Sequence, residues 1–157
     1  MENIIFDVDK LVNIIDRKGK KVVFTNGCFD IVHYGHISYL YKAKELGDIL
    51  VVALNSDESV KRLKGEKRPI NSLKERAALI ASLKPVDYVT MFEEDTPYNI
   101  IKKIKPDVLV KGGDWKEDEI VGSDIVKSYG GEVYSLNFVE GFATTNIIEK
   151  IIDLYCK

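Results

Sequence analysis

Apolar residues along this chain alternate between two spacings. Short β-branched runs are separated by stretches in which apolar positions recur every three or four residues. The first kind predicts buried strands and the second predicts helices that bury one face. Residues 8–18 read as a helix with Leu11, Ile14 and Ile15 on one face, and residues 21–25 of KKVVFTN as the first strand. Helical spacing returns from Tyr34 to Leu46, with Gly47 as its stop, and DILVVALN is the second strand. Ser72 and Glu75 form a capping-box pattern for a helix running to about Leu83. VDYVTMF is the third strand, and Thr96 followed by Pro97 suits an N-cap and first helical position. PDVLVKGG is the fourth strand, 117–129 a helix ended by Gly130 and Gly131, and EVYSLNF the fifth strand. The last helix starts near Thr144 or Thr145. The expected architecture is α/β: a doubly wound, parallel, five-stranded sheet with helices on both faces. Ligands bind such sheets beyond the C-terminal ends of the strands, at the switch point. Candidate segments are therefore Asn26–Asp30, Asn55–Asp57, Lys111–Trp115 and Phe138–Thr145.

Composition narrows the classes. The 157 residues suit a single domain, 1–157, with residues 1–20 as an N-terminal helix and lead-in. A net charge of −2 speaks against a general nucleic-acid binder, which needs a basic excess. The apolar runs are too short to span a bilayer, and MENIIFDVDK lacks the features of a signal peptide. Cys28 and Cys156 are the only cysteines, so neither a disulfide framework nor a Cys-rich zinc site is expected. A cytoplasmic protein with reduced thiols follows, with no nucleic-acid or membrane partner.

Both histidines of the chain, His33 and His36, fall in TNGCFDIVHYGHISYL, where a strand gives way to a helix. A helix N-terminus attracts anions, and two imidazoles beside it can donate hydrogen bonds to phosphate oxygens. Gly27 permits a tight turn, and Gly35 lets the first helical turn approach something bulky. A metal pair or two surface histidines are the competing readings. Between Lys61 and Arg68 lie five basic residues and one acid. This run is either a solvated face or a mobile loop able to fold over a polyphosphate. Arg76 could reach the same site or make a surface i,i+4 pair. In VKGGDW, Gly112 and Gly113 allow close approach of backbone, Asp114 could bind a hydroxyl or phosphate-bound Mg²⁺, and Trp115 is packing or platform. Thr144, Thr145 and Asn146, the last paired with Glu149, suit a helix cap or a second anion site. No nucleophile with a base is visible, and the Walker and GxGxxG patterns are absent.

HYGH after NGCFD resembles the His-x-Gly-His signature of the nucleotidylyltransferase superfamily, and ATTNII resembles its second signature before the last helix. KRLKG, FEEDTP and VKGGD resemble the heptose 1-phosphate adenylyltransferase branch, over about residues 8 to 155. The resemblance implies a Rossmann-like fold of nucleotidylyltransferase type. It implies AMP transfer from ATP to D-glycero-β-D-manno-heptose 1-phosphate, giving ADP-heptose and pyrophosphate for the lipopolysaccharide core. Mg²⁺ would be held mainly through the phosphates, without direct protein ligation, and the protein would be a homodimer. By resemblance His33, His36 and Lys61 are catalytic, and Lys61 and Lys64 hold the β- and γ-phosphates or the leaving pyrophosphate. Thr25, Asn26, Gly27, Cys28, Phe29 and Gly35 would form the nucleotide-binding turn. Lys111, Gly112, Asp114, Thr144 and Thr145 would complete the nucleotide site. Asp30, Asn55, Asp57 and Arg76 would address the sugar phosphate. Related glycerol-3-phosphate cytidylyltransferases carry arginine where this chain has Phe138, in NFVEG. A CTP-dependent enzyme of that kind and a non-catalytic nucleotide-binding module are the alternatives. In this branch the domain occurs alone or behind a sugar kinase. The roughly twenty residues before the first strand leave no room for a kinase here, so a stand-alone protein and an excised domain are both open.

Overall fold

A computed structural model describes residues 1–156. Five parallel strands form one sheet: β1 (Val22–Gly27), β2 (Ile49–Asn55), β3 (Tyr88–Phe92), β4 (Val108–Gly112) and β5 (Glu132–Leu136). Their order is β3-β2-β1-β4-β5. Successive side chains of a strand point to opposite faces, and here both faces are buried, which explains the unbroken apolar runs. On one face Val22, Phe24 and Val51 pack with Leu11 of α1 (Val8–Ile14), Ile101 of α5 (Tyr98–Ile104) and Val126 of α6 (Ser123–Ser128). On the other, Val23, Val52 and Leu54 pack with Leu40 of α2 (Tyr34–Lys44) and Ile80 of α4 (Leu73–Ala81). The chain steps from β1 outward through β2 to β3, then returns across the sheet to β4 on the far side of β1. The order reverses between β1 and β4, which opens a crevice at the C-terminal ends of those strands.

Several boundaries differ from the sequence-based expectation, each for a local reason. Helix α1 stops at Ile14, which is 44% exposed, while Leu11 and Ile15 are buried. Gly47 is no helix stop, since α2 ends at Lys44. A Cβ at Gly47 would meet Val23 Cγ2 at 2.6 Å, so close packing requires the glycine. The basic run Lys61–Arg68, read as either a solvated face or a mobile loop, is helical only in its first half, which ends helix α3 (Asp57–Lys64). Ser56 caps it by accepting from Ser59 N–H, acids fill its first turn, and Lys61, Arg62 and Lys64 its last. That charge order suits the helix dipole. The span 117–129 divides into a 3₁₀ turn (Glu117–Glu119) and α6, with Gly122 in the left-handed region at φ +90° between them. Pro97, not Thr96, occupies the N-cap of α5. The final helix α7 (Thr144–Tyr155) has Ala143 at its N-cap, with no capping side chain from Thr144, Thr145 or Asn146.

Candidate active site

The turn after β1 is tightly determined. Phe29 and Ile31 adopt positive φ of 49° and 55°, a region that non-glycine residues rarely occupy and that marks a constrained site. A Cβ on Gly27 would lie 2.9 Å from the Phe29 ring, so this glycine makes room for that ring. The Phe29 ring in turn packs against His36, with centroids 5.1 Å apart.

His33 is the N-cap of α2, and His36 is its third helical residue. His33 Nδ1 accepts from Gly35 N–H at 3.1 Å, and His36 Nδ1 accepts from His33 N–H at 3.3 Å. This is a capping box built from two imidazoles in place of Ser and Glu. The rings stack at 3.8 Å between centroids, 25° from parallel. With both Nδ1 atoms accepting, the neutral rings carry their protons on Nε2. The pair therefore has two N–H donors free of the helix backbone. Burial, then the neighbouring His33, pushes the His36 pKa down to about 4, and burial lowers that of His33 as well. Both rings are neutral donors at pH 7. Gly35 is a condition of this arrangement, because a Cβ there would sit 2.9 Å from His33 Cε1 and 3.1 Å from Phe142 Cβ.

The two rings line a cleft of about 850 Å³ that follows the C-terminal edge of the sheet. Asp30, beneath it, ties three segments together. Its carboxylate accepts from Arg68 Nε at 2.8 Å, Ile70 N–H at 2.7 Å and Asn71 N–H at 2.9 Å. Its carbonyl accepts from Thr144 Oγ1 at 2.7 Å, which fixes the start of α7 beside the histidines. Burial opposes ionisation of Asp30, but the Asn71, Ile70 and Arg68 hydrogen bonds outweigh it and hold the carboxyl below its usual range. Lys111 lines the opposite wall, where burial lowers its pKa, and its Nζ stands 5.9 Å from the Trp115 ring centroid. Among the described residues neither Lys64 nor Lys111 has an ion-pair partner. Both are free cations on a cleft wall, suited to anionic oxygens.

Residues 24–149 match the sequence profile of the cytidylyltransferase-like family. The chain belongs to that family. The bifunctional protein HldE of Campylobacter concisus is 63% identical over 147 residues, 93% of this chain and 30% of that protein. HldE of a Nitratiruptor species is 59% identical over 145 residues, 92% of this chain and again 30% of that protein. The chain thus spans about a third of the curated relatives it matches. The lipopolysaccharide core biosynthesis protein from Thermoplasma volcanium superposes with a TM-score of 0.63 at 34% identity, covering 77% of this chain and 98% of that one. Pantothenate synthetase from Thermus thermophilus shares the fold at 14% identity, with a TM-score of 0.64 over 92% of this chain and 67% of that one.

This cytidylyltransferase-like cleft gathers most of the predicted site residues. Asn26, Gly27, Cys28, Phe29 and Asp30 line it from the β1 turn, His33, Gly35 and His36 from α2, and Asn55 and Lys64 from the β2 side. Lys111 and Gly112 line it from β4, and Thr144 and Thr145 from α7. Five predicted residues fall outside the lining. Thr25 is buried beneath the site, with Oγ1 2.6 Å from Tyr39 Oη. Asp114 is exposed beyond the rim, and Lys61 faces Glu58 at 3.6 Å. Arg76 is fully buried and commits its guanidinium to the Asn71, Cys28 and Asn55 carbonyls and to Asp57 Oδ1 at 2.8–3.0 Å. Arg76 and Asp57 thus brace the ends of β1 and β2 from below. Asp30 lines the cleft but spends its carboxylate on Arg68, Ile70 and Asn71. The bulky neighbour of Gly112 is Phe138, whose ring would lie 2.7 Å from a Cβ there. Trp115 is held at the rim by Nε1–H to the Gly112 carbonyl and by its own N–H to Ser135 Oγ. Arg68, Phe142, Asp95 and Thr96 are site residues that periodicity passed over. Arg68 and Phe142 are signalled in the sequence only by proximity to Gly65 and to the second signature, whereas Asp95 and Thr96 lie inside FEEDTP itself. The described residues contain no group of three or more His, Cys, Asp or Glu side chains able to hold a metal ion. No described helix is long and apolar enough to cross a membrane.

Proposed function

We propose that this protein is a sugar-phosphate adenylyltransferase that transfers AMP from ATP to D-glycero-β-D-manno-heptose 1-phosphate, releasing ADP-heptose and pyrophosphate for lipopolysaccharide core synthesis. The observation that carries the reading is the stacked His33–His36 pair, with both Nδ1 atoms committed to backbone and both Nε2–H groups left to donate. The HldE relatives and the Thermoplasma lipopolysaccharide protein support the sugar branch.

A phosphate oxygen of the sugar attacks the α-phosphorus of ATP. The bond from that phosphorus to the bridging oxygen breaks, and pyrophosphate leaves. The acceptor supplies the nucleophile, so none is needed from the protein. Preorganised donors that meet the charge spreading over the phosphate oxygens lower the barrier. His33, His36, Lys64, Lys111 and Thr145 are those donors, while the Thr144 hydroxyl is spent on the Asp30 carbonyl. Mg²⁺ would be held through the phosphates, without direct ligation by the described side chains, and would shield the charge of the triphosphate. Asp30 and Arg76 hold the walls that carry the donors. Phe138, where related glycerol-3-phosphate enzymes carry arginine, favours this reading over a CTP-dependent one.

The test is pyrophosphate release with Mg²⁺, crossing ATP and CTP against heptose 1-phosphate and glycerol 3-phosphate. Turnover confined to ATP with heptose 1-phosphate is expected. Turnover confined to CTP with glycerol 3-phosphate would replace the proposal with its runner-up. We also propose a cytoplasmic homodimer joined through α7, which exposes Ile151, Ile152, Leu154 and Tyr155 on 12 residues. So short a helix is marginal in water without a packing partner. A monomer in light scattering at micromolar concentration would remove that assignment.

A further inference from the structure

Three of the four side chains expected to read the acceptor are already engaged. Asp30 holds the 68–71 segment, and Arg76 and Asp57 hold each other beneath the cleft. Only Asn55 of that set is free to face a ligand. It is 3% exposed and lines the cleft, and its Nδ2 donates to Ser59 Oγ at 3.0 Å. Its Oδ1 has no partner among the described residues. The strand order then dictates what stands beside it. Asn55 pairs in register with Phe92, the last residue of β3, so the segment leaving β3 forms the next stretch of cleft wall.

That segment is the DTP of FEEDTP, and it carries unpaired polar groups. Asp95 Oδ1 accepts from Arg62 Nε at 2.8 Å, and Oδ2 has no partner among the described residues. Thr96 is released from capping, because Pro97 takes the N-cap of α5, and its hydroxyl makes no hydrogen bond among the described residues. The segment is also held in place. Ser59 Oγ donates to the Glu94 carbonyl at 3.0 Å, and Arg62 Nη2 donates to the Glu93 carbonyl. Asn55, Ser59 and Glu94 therefore form one chain of contacts that fixes Asn55 relative to Asp95 and Thr96. Val121, which also lines the cleft, adds an apolar surface.

We infer that Asn55, Asp95 and Thr96 form the subsite for the hydroxyl groups of the acceptor sugar, with Asp95 and Thr96 as specificity-determining residues. The inference rests on the adenylyl-transfer reading above. A free carboxylate oxygen, a free amide oxygen and a hydroxyl suit a neutral ligand rich in O–H donors. The same carboxylate disfavours a second phosphate there. The strand order places this subsite on the β2–β3 side of the histidines, while Phe138, packed over Gly112, stands on the β4 side. A nucleotide and a sugar can occupy the two sides of one cleft.

The test is steady-state pyrophosphate release by wild type, Asp95→Asn, Thr96→Val and Arg62→Ala. The acceptors are heptose 1-phosphate, mannose 1-phosphate and glycerol 3-phosphate, with ATP as donor. Asp95→Asn is expected to raise the heptose 1-phosphate KM about 10-fold or more, the effect of losing a hydrogen bond to a charged group. Thr96→Val should raise it by several-fold, with the KM for ATP within twofold in both. Arg62→Ala, which keeps the carboxylate and removes its clamp, should change the acceptor KM less than Asp95→Asn does. Unchanged acceptor KM in both Asp95→Asn and Thr96→Val overturns the subsite, while wild-type turnover upholds the transfer reading. Wild-type turnover of another sugar phosphate, with its KM raised in both variants, keeps the subsite and replaces heptose. Turnover of glycerol 3-phosphate alone, or of no acceptor, overturns both.

Discussion

Gly35→Ala separates what α2 needs for stability from what the site needs for chemistry. The added Cβ would stand 2.9 Å from His33 Cε1 and 3.0 Å from His33 Nδ1. Ordinary carbon contacts begin near ~3.5 Å, so the ring must withdraw by about 0.6 Å. The Phe142 Cβ at 3.1 Å closes one direction of escape. Withdrawal stretches the 3.1 Å bond from Gly35 N–H to Nδ1 and opens the stack on His36. A lost N-cap costs about 1 kcal/mol. Alanine in place of glycine returns somewhat less than ~1 kcal/mol at a second helical position. The two nearly cancel, so the thermal midpoint should move by no more than about 3 °C. Activity should not be spared, because a misplacement near 1 Å can cost ~10²-fold. The assay pairs thermal unfolding with kcat for pyrophosphate release. A folded variant with wild-type kcat would refute the claim that His33 must sit where Gly35 allows it.

The remaining expectations concern the groups around that turn. His36→Ala should lower kcat by ~10²-fold or more while leaving the protein folded; equal activity sinks its assigned role. Lys64→Ala should raise the KM for ATP several-fold and Lys61→Ala should do less, because only Lys64 lines the cleft; the reverse order in the same kinetics would return Lys61 to the site. Arg76→Met leaves three carbonyls, one buried and two partly buried, and the Asp57 carboxylate without their donor and should cost about 3–5 kcal/mol, roughly 10 °C by calorimetry. The pH profile follows from His36, whose folded pKa near 4 lies below its unfolded value of ~6.5. Within that window the unfolded chain binds more protons, so stability is fully present above pH ~6.5 and is lost as pH falls toward 4. Protonation at Nδ1 would also set an N–H against the His33 N–H. His36→Gln should flatten this part of the Tm profile, and an unchanged slope would show that the loss arises elsewhere.

Much of this protein is legible one segment at a time. Runs such as DILVVALN, short and rich in Val and Ile, read as strands buried on both faces, so parallel order and helices on either side are expected without coordinates. The HYGH turn is legible for the same reason, since strand, glycine and helix start lie adjacent in the chain. Boundaries that depend on a distant neighbour are not legible. Gly47 looks like a helix stop until Val23 is seen to fill the space of its missing Cβ. Arg76 and Lys64 are both basic residues near the β2 end, and nothing local separates them. Only the packed structure shows one guanidinium sealed under three carbonyls and one ammonium open to the cleft. The same holds for Asp30, whose partners lie 38 to 41 residues away along the chain. Local sequence determines which residues turn, alternate or cap, because those preferences act over a few bonds. Tertiary structure decides which polar groups are satisfied by the protein and which remain for a ligand, because that depends on who is brought together across the sheet.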